Sequence, residues 1–521
     1  MPSFSNLLWA VNSAILLVFA FPDFDFWFLA YVALIPLFYA IDQEKQSTAK
    51  SFVLGWIWGI CFFFAGCSWI AFPMKTYAGI PSVIAYAMAL CVMIIVGLFP
   101  AIFAAIFASL LKRFGTWAVL FTPFIWVFTE FLRFWLTGNN WNAIGYSQAF
   151  SGLFMSLSSI GGVLFTSFII IFINVKLYYF HKSANNKTIY GLAILFAVFC
   201  FISWNARNNL KTQNVNSKVE IIAIQPNVPM SGLNLDQWKR LRNRHVELAE
   251  NALQKITDKE QPIIVIFPES PMNFEYAKDS EFREFIADFA KRNNVSVLFN
   301  AGEPVYPQYV NREIDTLTQE QIEKMSETYN SAVMVDEKGE KVAQFDKIHL
   351  LPFGEFIPLP KVLADFVPPV VGNFTFGKEF DILNFGDVKA GVMICFESHF
   401  PSLSREYANR DADVLVEITN DGYLGNTPVL RQHLANAVFR AVETNRPVLR
   451  VTNVGITAYI NERGEVISPT EGFTEDTRIW TISKSDGTKT FYVKYGDWFA
   501  WLSSFITLVL LFCSFKKQNE A

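Results

Sequence analysis

Three segments of the sequence place a reactive side chain directly after a short apolar run or inside one. Glu269 follows residues 263–267 between two prolines, Lys347 lies in an apolar run bounded by prolines, and Cys395 follows residues 388–394. The ends of strands are where α/β folds gather their active sites. A carboxylate, an ammonium group and one thiol suit acyl transfer. The carboxylate takes the thiol proton, the cation favours the thiolate and the oxyanion, and the thiol forms an acyl intermediate.

Each of these residues also has an ordinary structural interpretation when it is taken alone. Glu269 fits a surface turn, Lys347 fits a structural ion pair, and Cys395 fits a small core residue. Five of the six cysteines fall in apolar segments, so Cys395 has no partner in the soluble stretch for an intrachain disulfide. Glu397 follows two residues later and is unusual beside a buried core cysteine, which favours the reactive interpretation of the thiol.

The sequence also excludes several classes of site. It contains no glycine-rich phosphate loop, no His/Cys cluster with metal-ligand spacing and no serine elbow. With five histidines in the chain, a histidine-based zinc site or triad is not expected, so no metal and no cofactor are predicted. The net charge of -4 argues against nucleic acid as a partner.

The composition indicates a membrane protein that carries one soluble domain. Of the 521 residues, 52% are hydrophobic and only 17% are charged, against about 25% charged in an ordinary soluble domain. The apolar residues concentrate in the first 205 residues and again at 498–515, whereas the stretch between them has the charge and turn content of a soluble domain. We therefore predict an N-terminal membrane domain at 1–206, a soluble domain at 217–490 and a C-terminal span at 497–515. The first segment lacks a basic start and is not expected to be a removable signal peptide.

About eight membrane spans are predicted, since each needs about 20 mostly apolar residues. They lie near 4–20, 26–41, 52–72, 82–111, 116–136, 157–180, 188–205 and 498–515. With a cytoplasmic N-terminus, each inside loop carries two basic residues, namely Lys45 and Lys50, Lys112 and Arg113, Lys182 and Lys187, and Lys516 and Lys517. The short outside loops carry only Lys75. This bias predicts that both termini are cytoplasmic and that the soluble domain faces the periplasm.

Two ionisable residues lie at membrane level near the end of the fifth predicted span. Glu130 and Arg133 are three positions apart on one helix face, where they either pair with each other or contribute to a site for a lipid headgroup. The loop that follows is polar and contains Trp141, a residue type that often anchors at the headgroup level. Residues 138–150 and 359–376 are the predicted apolar mouth of the active site.

The soluble stretch reads as an α/β domain. Short apolar runs at 219–224, 263–267, 295–299, 388–394 and 414–418 alternate with segments of helical periodicity. This alternation is typical of buried sheets covered by helices.

These segments resemble the Glu-Lys-Cys triad of the nitrilase superfamily, and the whole layout is similar to its membrane-embedded family, the apolipoprotein N-acyltransferases. The matching motifs are Phe-Pro-Glu-Ser at 267–270, Asp-Lys-Ile-His-Leu-Leu-Pro-Phe-Gly-Glu-Phe-Ile-Pro at 346–358, Cys-Phe-Glu at 395–397, Thr-Asn-Asp-Gly at 419–422, Asn-Arg-Pro at 445–447 and Gly-Tyr-Ser-Gln at 145–148. The resemblance implies an α-β-β-α sandwich for the soluble domain, joined to a polytopic helical bundle.

The resemblance also implies roles for individual residues. Glu269 becomes the general base, Lys347 the stabiliser of the oxyanion and thiolate, and Cys395 the nucleophile. Further expected site residues are Glu355 and Glu397 as supports, Phe396 and Trp238 as active-site aromatics, and Trp141 and Tyr423 at the lipid portal. The sequence departs from the family pattern at two places, with Phe396 in place of Tyr and Tyr423-Leu424 in place of Trp-Phe. Both changes remain apolar and bear on lipid or acceptor preference.

The implied activity is the last step of bacterial lipoprotein maturation. A phospholipid, with phosphatidylethanolamine as the expected donor, gives an acyl chain to Cys395. The diacylglyceryl-cysteine amine of an apolipoprotein then accepts it, at the periplasmic face of the inner membrane. The alternatives are a membrane-anchored nitrilase-type amidase, which shares the triad, and a transporter or receptor with a non-catalytic outer domain. A transporter would not need the Cys395 thiol.

Overall fold

The protein is described by a computed structural model that covers residues 1–183, 186–210, 218–257, 260–269, 275–310, 317–358 and 373–519. The chain forms two compact units. Unit 1 contains Met1–Lys211, Thr427–Asn445 and Thr490–Ala521, and unit 2 contains Thr212–Asn426 and Arg446–Lys489. A short segment from the middle of the predicted soluble domain therefore belongs to unit 1.

The helices account for most of unit 1 and alternate with strands in unit 2. In chain order they are α1 Phe4–Val18, α2 Ile35–Glu44, α3 Thr48–Cys67, α4 Ala71–Thr76, α5 Ser82–Val96, α6 Leu98–Phe114, α7 Ala118–Thr137, α8 Ser158–Gly161, α9 Val163–Ser183, α10 Asn186–Asn209, α11 Leu235–Leu253, α12 Ser280–Asn293, α13 Gln319–Met325, α14 Pro401–Asn409, α15 Val429–Thr444, α16 Phe491–Tyr495 and α17 Trp498–Asn519. Helices α11 to α14 belong to unit 2, and the others belong to unit 1.

Three continuous helical runs among the described residues are long and apolar enough to cross a membrane. They are Thr48–Thr76, Ser82–Thr137 and Val163–Phe180, and two shorter apolar helices lie at Phe4–Val18 and Trp498–Ser514. The run Ser82–Thr137 has 56 residues, which is about 84 Å of helix and more than twice the thickness of a bilayer core. Since it contains α5, α6 and α7, one run corresponds to two of the predicted spans. The count of about eight spans thus remains a prediction.

Small residues bring the membrane helices α3 and α6 close together. A Cβ atom on Gly55 of α3 would lie 2.4 Å from the carbonyl oxygen of Pro100 in α6, so only glycine fits at this crossing. Close backbone approach through small residues is the usual way for helices to associate in lipid, where no hydrophobic force drives them together.

Unit 2 contains two six-stranded sheets. In chain order the strands are β1 Lys218–Gln225, β2 Ile263–Ile266, β3 Ser296–Pro304, β4 Thr328–Val335, β5 Lys341–Asp346, β6 Ile382–Phe385, β7 Val388–Ile394, β8 Val414–Thr419, β9 Val448–Thr452, β10 Ala458–Ile460, β11 Val466–Ile467 and β12 Asp476–Ser483. The first sheet has the order β12-β1-β2-β3-β4-β5 and the second β11-β10-β9-β8-β7-β6. In each sheet the three central strands, β1-β2-β3 or β7-β8-β9, are parallel.

The hydrophobic pattern explains why these elements pack as an α/β domain. The four residues of β2 and the six of β8 are all buried, as expected for parallel strands that are covered on both faces. Phe282, Ile286 and Phe289 of α12 join Ala249 and neighbouring residues of α11 in one core with β1, β2 and β3. Helix α11 begins with a capping box at Asn234, which fixes its start. The predicted α/β class of this domain is confirmed.

Candidate active site

Three strands of unit 2 deliver the three predicted reactive residues to one place. Cys395 follows β7 directly, Lys347 follows β5 directly, and Glu269 lies three residues after β2. The Lys347 ammonium lies 3.5 Å from the Glu269 carboxylate, and the Cys395 thiol is within hydrogen-bonding reach of the same carboxylate. The structure therefore brings together side chains that are 78 and 126 residues apart from Glu269 in the sequence.

A second carboxylate holds the lysine. The Nζ of Lys347 is 2.8 Å from Oε1 of Glu355, whose Oε2 accepts a hydrogen bond from the backbone N–H of Leu351. Burial lowers the pKa of Lys347, but the charges of Glu355 and Glu269 outweigh it and hold this pKa above its ordinary value. The lysine is therefore an ammonium ion that faces two carboxylates.

Asn330 of β4 joins the two carboxylates. Its Nδ2 donates to Oε1 of Glu269 at 3.0 Å and to Oε1 of Glu355 at 2.6 Å. Its backbone carbonyl accepts from the N–H of Lys347, and its Oδ1 accepts from Asn300. Asn330 thus fixes Glu269 and Glu355 through its side chain and Lys347 through its backbone carbonyl. It was not among the site residues predicted from the sequence. A signal was present, because Asn330 is a polar residue in the buried part of a strand whose last four residues are apolar.

The backbone presents Cys395 in a left-handed conformation. Its φ is 53°, and it begins a 3-10 turn that runs from Cys395 to His399. A non-glycine residue in this region costs of order 1 kcal/mol and is often found where a side chain is aimed at a function. Burial and the charge of Glu269 raise the pKa of the thiol well above its ordinary value, although the residue keeps some exposed surface. Burial also raises the pKa of Glu269.

Glu397 connects the cysteine segment to the lysine segment. Its Oε1 accepts from the N–H groups of Ile348 and His349 at 2.7 and 2.9 Å, and its Oε2 accepts from the N–H of Ile394 at 2.8 Å. Its side chain is completely buried, and burial raises its pKa to about 7. The residues before Cys395 and after Lys347 are therefore fastened to one carboxylate.

Aromatic rings surround the residues that follow the thiol. The Phe396 ring stacks on His399 at 5.2 Å and meets Phe400 edge to face at 5.3 Å, while His349 stacks on Phe400 at 4.0 Å. Burial lowers the pKa of His349 to about 4, so this ring is neutral near pH 7. Phe396 thus belongs to a packed ring cluster beside the nucleophile segment.

The remaining predicted site residues lie on other elements of the chain. Trp238 is partly exposed in the first turn of α11, and among the described residues no hydrogen bond or ring contact joins it to the Cys395 cluster. Tyr423 is half-buried on the 3-10 turn Asp421–Leu424 after β8. Trp141 belongs to unit 1 and is buried. Residues 359–372, the larger part of the second predicted mouth segment, lie outside the described residues.

In unit 1, Glu130 and Arg133 both contact the loop after α7. Oε1 of Glu130 accepts from the N–H of Ile144 at 2.9 Å. Arg133 donates to the carbonyl of Trp141 at 3.0 Å and to Oδ1 of Asn140 at 2.9 Å. The two side chains fix this membrane-level loop, a role that neither of the two sequence interpretations had included.

A glutamine from α15 completes the surroundings of Trp141. Oε1 of Gln432 accepts from the indole N–H of Trp141 at 2.9 Å and from that of Trp69 at 3.1 Å, while its Nε2 donates to the carbonyl of Gly66 at 3.0 Å. The two indole rings meet edge to face at 5.6 Å. Although Gln432 lies in the sequence of the predicted soluble domain, its helix belongs to unit 1. We call Trp69, Trp141 and Gln432 the indole clamp.

In the described part of the chain, no group of three or more His, Cys, Asp or Glu side chains is arranged to hold a metal ion. The side chains of the Cys395 cluster are arranged in a way that suits acyl transfer. A base lies beside a thiol, and a fixed ammonium ion lies beside the base.

The α/β fold and the cluster of Glu269, Lys347 and Cys395 are consistent with one enzyme family, and the comparison with family models identifies it. Residues 223–491 match the carbon-nitrogen hydrolase family, and this range includes all of the strands of unit 2 except the start of β1. Residues 13–176 match the N-terminal domain of apolipoprotein N-acyltransferase.

Whole-length relatives agree with both matches. The chain is 27% identical to an apolipoprotein N-acyltransferase of Geobacter metallireducens over 100% of this chain and 98% of the relative. It is 29% identical to one from Treponema denticola, over 99% and 98%, and 26% identical to one from Pasteurella multocida, over 94% and 91%. The chain belongs to the apolipoprotein N-acyltransferase family. It is a membrane-associated acyltransferase of lipoprotein maturation that uses a lipid donor and a lipoprotein acceptor.

Some solved structures match about half of this chain at low sequence identity. An amidase from Nesterenkonia sp. is 13% identical, with 54% of this chain and 94% of that chain covered and a TM-score of 0.35. A nitrilase-superfamily protein from Saccharomyces cerevisiae is 15% identical, with 52% and 92% covered and a TM-score of 0.36.

Proposed function

We propose that this acyltransferase works through a thioester on Cys395, with Glu269 as general base and Lys347 as the cation that stabilises the thiolate and the tetrahedral oxyanion. The observation that carries the proposal is the arrangement of one carboxylate, which meets both the thiol and the ammonium group. A thiol needs a base to become a nucleophile, and an ester carbonyl needs a nearby cation when negative charge develops on its oxygen.

The first half-reaction transfers the acyl chain from the phospholipid to the enzyme. Because the pKa of Cys395 is raised, the resting thiol is neutral, and Glu269 takes its proton as sulfur attacks the ester carbonyl. The carbon–sulfur bond forms, the carbonyl π electrons move to oxygen, and Lys347 faces that charge. When the oxyanion collapses, the ester carbon–oxygen bond breaks and the lysophospholipid alkoxide receives the proton from Glu269.

The second half-reaction transfers the chain to the lipoprotein. The neutral α-amine of the diacylglyceryl-cysteine attacks the thioester carbonyl and gives a proton to Glu269. The carbon–sulfur bond breaks, the amide is released, and the thiolate regains its proton. The lysophospholipid leaves before the amine attacks the thioester, so the kinetics are ping-pong, and the same base serves both half-reactions. The raised pKa of Glu269 suits this double use, because burial makes its carboxylate a better proton acceptor than an exposed one.

The supporting roles follow from the contacts. Glu355 keeps Lys347 charged and in place, since their atoms are 2.8 Å apart. Glu397 keeps the segments of Lys347 and Cys395 in register through three backbone N–H groups. Phe396 packs in the ring cluster beside the thiol and shields it from water, and Trp238 and Tyr423 are proposed as aromatic contacts for the substrates. A shielded thioester is protected from hydrolysis.

The proposed membrane arrangement rests on the distribution of lysine and arginine. The chain crosses the bacterial inner membrane about eight times, with both termini in the cytoplasm and the catalytic domain at 217–490 facing the periplasm. The N-terminal domain at 1–206 holds seven spans and the segment 497–515 holds the last. Trp141 lies on the loop that we propose for the lipid portal, and phosphatidylethanolamine is the proposed donor.

The experiment that tests the mechanism is the intact mass of the purified protein after incubation with phosphatidylethanolamine. We expect a gain of one fatty acyl group that hydroxylamine removes and that Cys395→Ala does not acquire. A folded wild-type protein that gains no mass in the presence of lipid would contradict the thioester. Hydrolysis of a soluble amide by that same preparation would indicate the nitrilase-type amidase instead.

A further inference from the structure

A second buried charge cluster lies in the sheet that carries Cys395. Arg450 of β9 is paired in register with Glu417 of β8, and its Nη1 is 2.6 Å from Oε2 of that residue. Its Nη2 is 2.7 Å from Oδ2 of Asp421, which follows β8. The exposed fractions of the three side chains are 0%, 0% and 1%. Charged residues are rarely buried this completely without a role that requires them.

The pairing of the strands places this cluster beside the strand that leads to the nucleophile. Met393 pairs with Glu417, which pairs with Arg450, and side chains in register project from the same face. Cys395 lies two residues after Met393, directly beyond the end of β7. Because β7, β8 and β9 are parallel neighbours, Cys395 and Asp421 both leave the sheet at its carboxyl edge.

Asp421 is held rigidly at that edge. A Cβ atom on Gly455 would lie 2.2 Å from its Oδ2, so the carboxylate packs directly against glycine backbone. The neighbouring Asn420 accepts hydrogen bonds from the N–H of Gly422 and from Asn453. The position of this carboxylate is therefore fixed by Arg450 on one side and by the backbone on the other.

Counting formal charges gives the environment of the thiol. Glu269, Glu355 and Lys347 sum to −1, and Glu417, Asp421 and Arg450 also sum to −1. A surplus of negative charge favours the protonated thiol, and Arg450 is the only cation of the second cluster that offsets it. We propose that Glu417, Arg450 and Asp421 are positioning residues for Cys395 and that the balance between Arg450 and Asp421 sets how readily the thiol loses its proton. This inference rests on the proposed role of Cys395 as nucleophile.

The electrostatics of the individual groups support the proposal. Burial, the charge of Glu269 and the charge of Asp421 raise the pKa of Cys395, and Lys347 lowers it. For Arg450, burial lowers the pKa, but Glu417, Asp421 and Cys395 together raise it. The charged groups that act on the thiol therefore include Glu269, Lys347, Asp421 and Arg450, of which the last two belong to the second cluster.

The test measures the thiol directly and does not depend on acyl transfer. The rate of alkylation of Cys395 by iodoacetamide is followed against pH in the full-length protein, with peptide mass mapping to separate this cysteine from the other five. Asp421→Asn removes a negative charge and should move the midpoint of the profile about one pH unit lower. Arg450→Gln should move it in the opposite direction by at least as much, and Arg450→Lys should lie between Arg450→Gln and the wild type.

The matched control is Arg446→Gln. Arg446 is also fully buried, but it lies four residues before Arg450, about 13 Å away along the strand, where it donates to the carbonyls of Ala412 and Thr488. Its loss should lower the melting temperature and leave the alkylation midpoint unchanged. An equal shift in Arg446→Gln would mean that loss of any buried arginine perturbs the thiol, which overturns the proposal.

Two further results overturn the inference. One is an alkylation midpoint in Asp421→Asn that equals the wild-type value. If Arg450→Gln fails to fold, Asp421→Asn alone decides the test. The other is a shift of the same sign in Asp421→Asn and Arg450→Gln. These outcomes are distinguishable from a failure of the mechanism, because alkylation requires only a thiol, whereas the mechanism fails when no thioester forms with phospholipid.

Discussion

Each of the two units contains a buried carboxylate with a buried cationic side chain near it, and these two pairs can be compared. Glu130 and Arg133 in unit 1 are 7% and 4% exposed, and Glu269 and Lys347 in unit 2 are 6% and 1% exposed. The two pairs therefore do not differ in burial, but they differ in the groups to which they bond. Glu130 and Arg133 bond mainly to the backbone of the following loop, whereas Glu269, among the described residues, has only side-chain partners.

The difference indicates which acid is available for chemistry. A carboxylate that accepts backbone N–H groups is committed to holding those groups in position. Glu397 is of this kind, with three backbone donors. Among the described residues, the Glu269 carboxylate accepts from side chains only, so a change in its charge leaves the backbone hydrogen bonds of the site intact. Among these buried carboxylates, the kind of partner is thus a better guide to the general base than burial or pKa alone.

The thiols should show the largest contrast between the two units. Cys395→Ala should reduce acyl transfer to less than about 1/1000 of the wild-type rate, because the covalent intermediate cannot form. Cys67→Ala is the matched control, since Cys67 is a buried thiol in α3 whose sulfur accepts a hydrogen bond from Asn142. It should keep most of the activity in the same phospholipid assay. Substantial turnover in Cys395→Ala would remove the thioester from the mechanism.

The next largest difference is expected between the loss of Lys347 and the loss of Arg133. Lys347→Met leaves Glu269 and Glu355 buried without their cation, so we expect loss of thioester formation and a decrease of about 3–5 kcal/mol in the free energy of unfolding. Arg133→Met should also destabilise the protein but still yield the acyl adduct, more slowly. Intact mass and thermal melting in detergent measure both. Equal loss of the adduct in the two variants would erase the distinction between a structural and a chemical pair.

A pH effect should single out Glu397. Its folded pKa of about 7 lies above the usual value of 4.5, so its stabilising contribution is complete below pH 4.5 and is lost as pH rises through 7. The loss is of order 3 kcal/mol. Glu397→Gln should remove this part of the decrease in melting temperature between pH 5 and pH 8. It should also lower kcat about tenfold or more through the displaced Lys347 segment. An unchanged pH dependence in the variant would contradict the assignment.

Much of the site was predictable because its residues carry local signals. Glu269 between prolines, Cys395 at the end of an apolar run and Lys347 in a bounded apolar segment are visible as interruptions of hydrophobic pattern. Asn330 and the pair Glu417 and Arg450 also interrupt buried strands, but their meaning depends on which strands are neighbours. Opposite charges in β8 and β9 signal a pair only once the register is known.

The sequence also does not predict that α15 belongs to unit 1, and the reason is different. Its periodicity predicts a helix, but no local feature tells which unit will pack against it. Gln432 looks like an ordinary polar residue until the indoles of Trp69 and Trp141 are seen to share its oxygen. Likewise, Glu130 and Arg133 are adjacent on one helix face, and only the path of the loop shows that both contact it.

The indole clamp gives the smallest predicted effect and the sharpest comparison of the two units. Gln432→Leu removes the acceptor of the buried Trp141 indole N–H and one of two acceptors of the Trp69 indole N–H, which also reaches the carbonyl of Gly66 at 3.2 Å. We expect a cost of about 1–3 kcal/mol in unit 1. We expect acylation of Cys395 by phospholipid in vesicles to fall several-fold, because the loop of Trp141 loses its fixed position. Alkylation of Cys395 by iodoacetamide should be unchanged, since this small reagent tests unit 2 alone. Gln432→Glu, which keeps an acceptor for both indoles, should recover part of the vesicle activity. If alkylation falls together with acylation, the indole clamp affects the reactivity of Cys395 itself. The prediction that the clamp affects only the reaction with phospholipid would then be wrong.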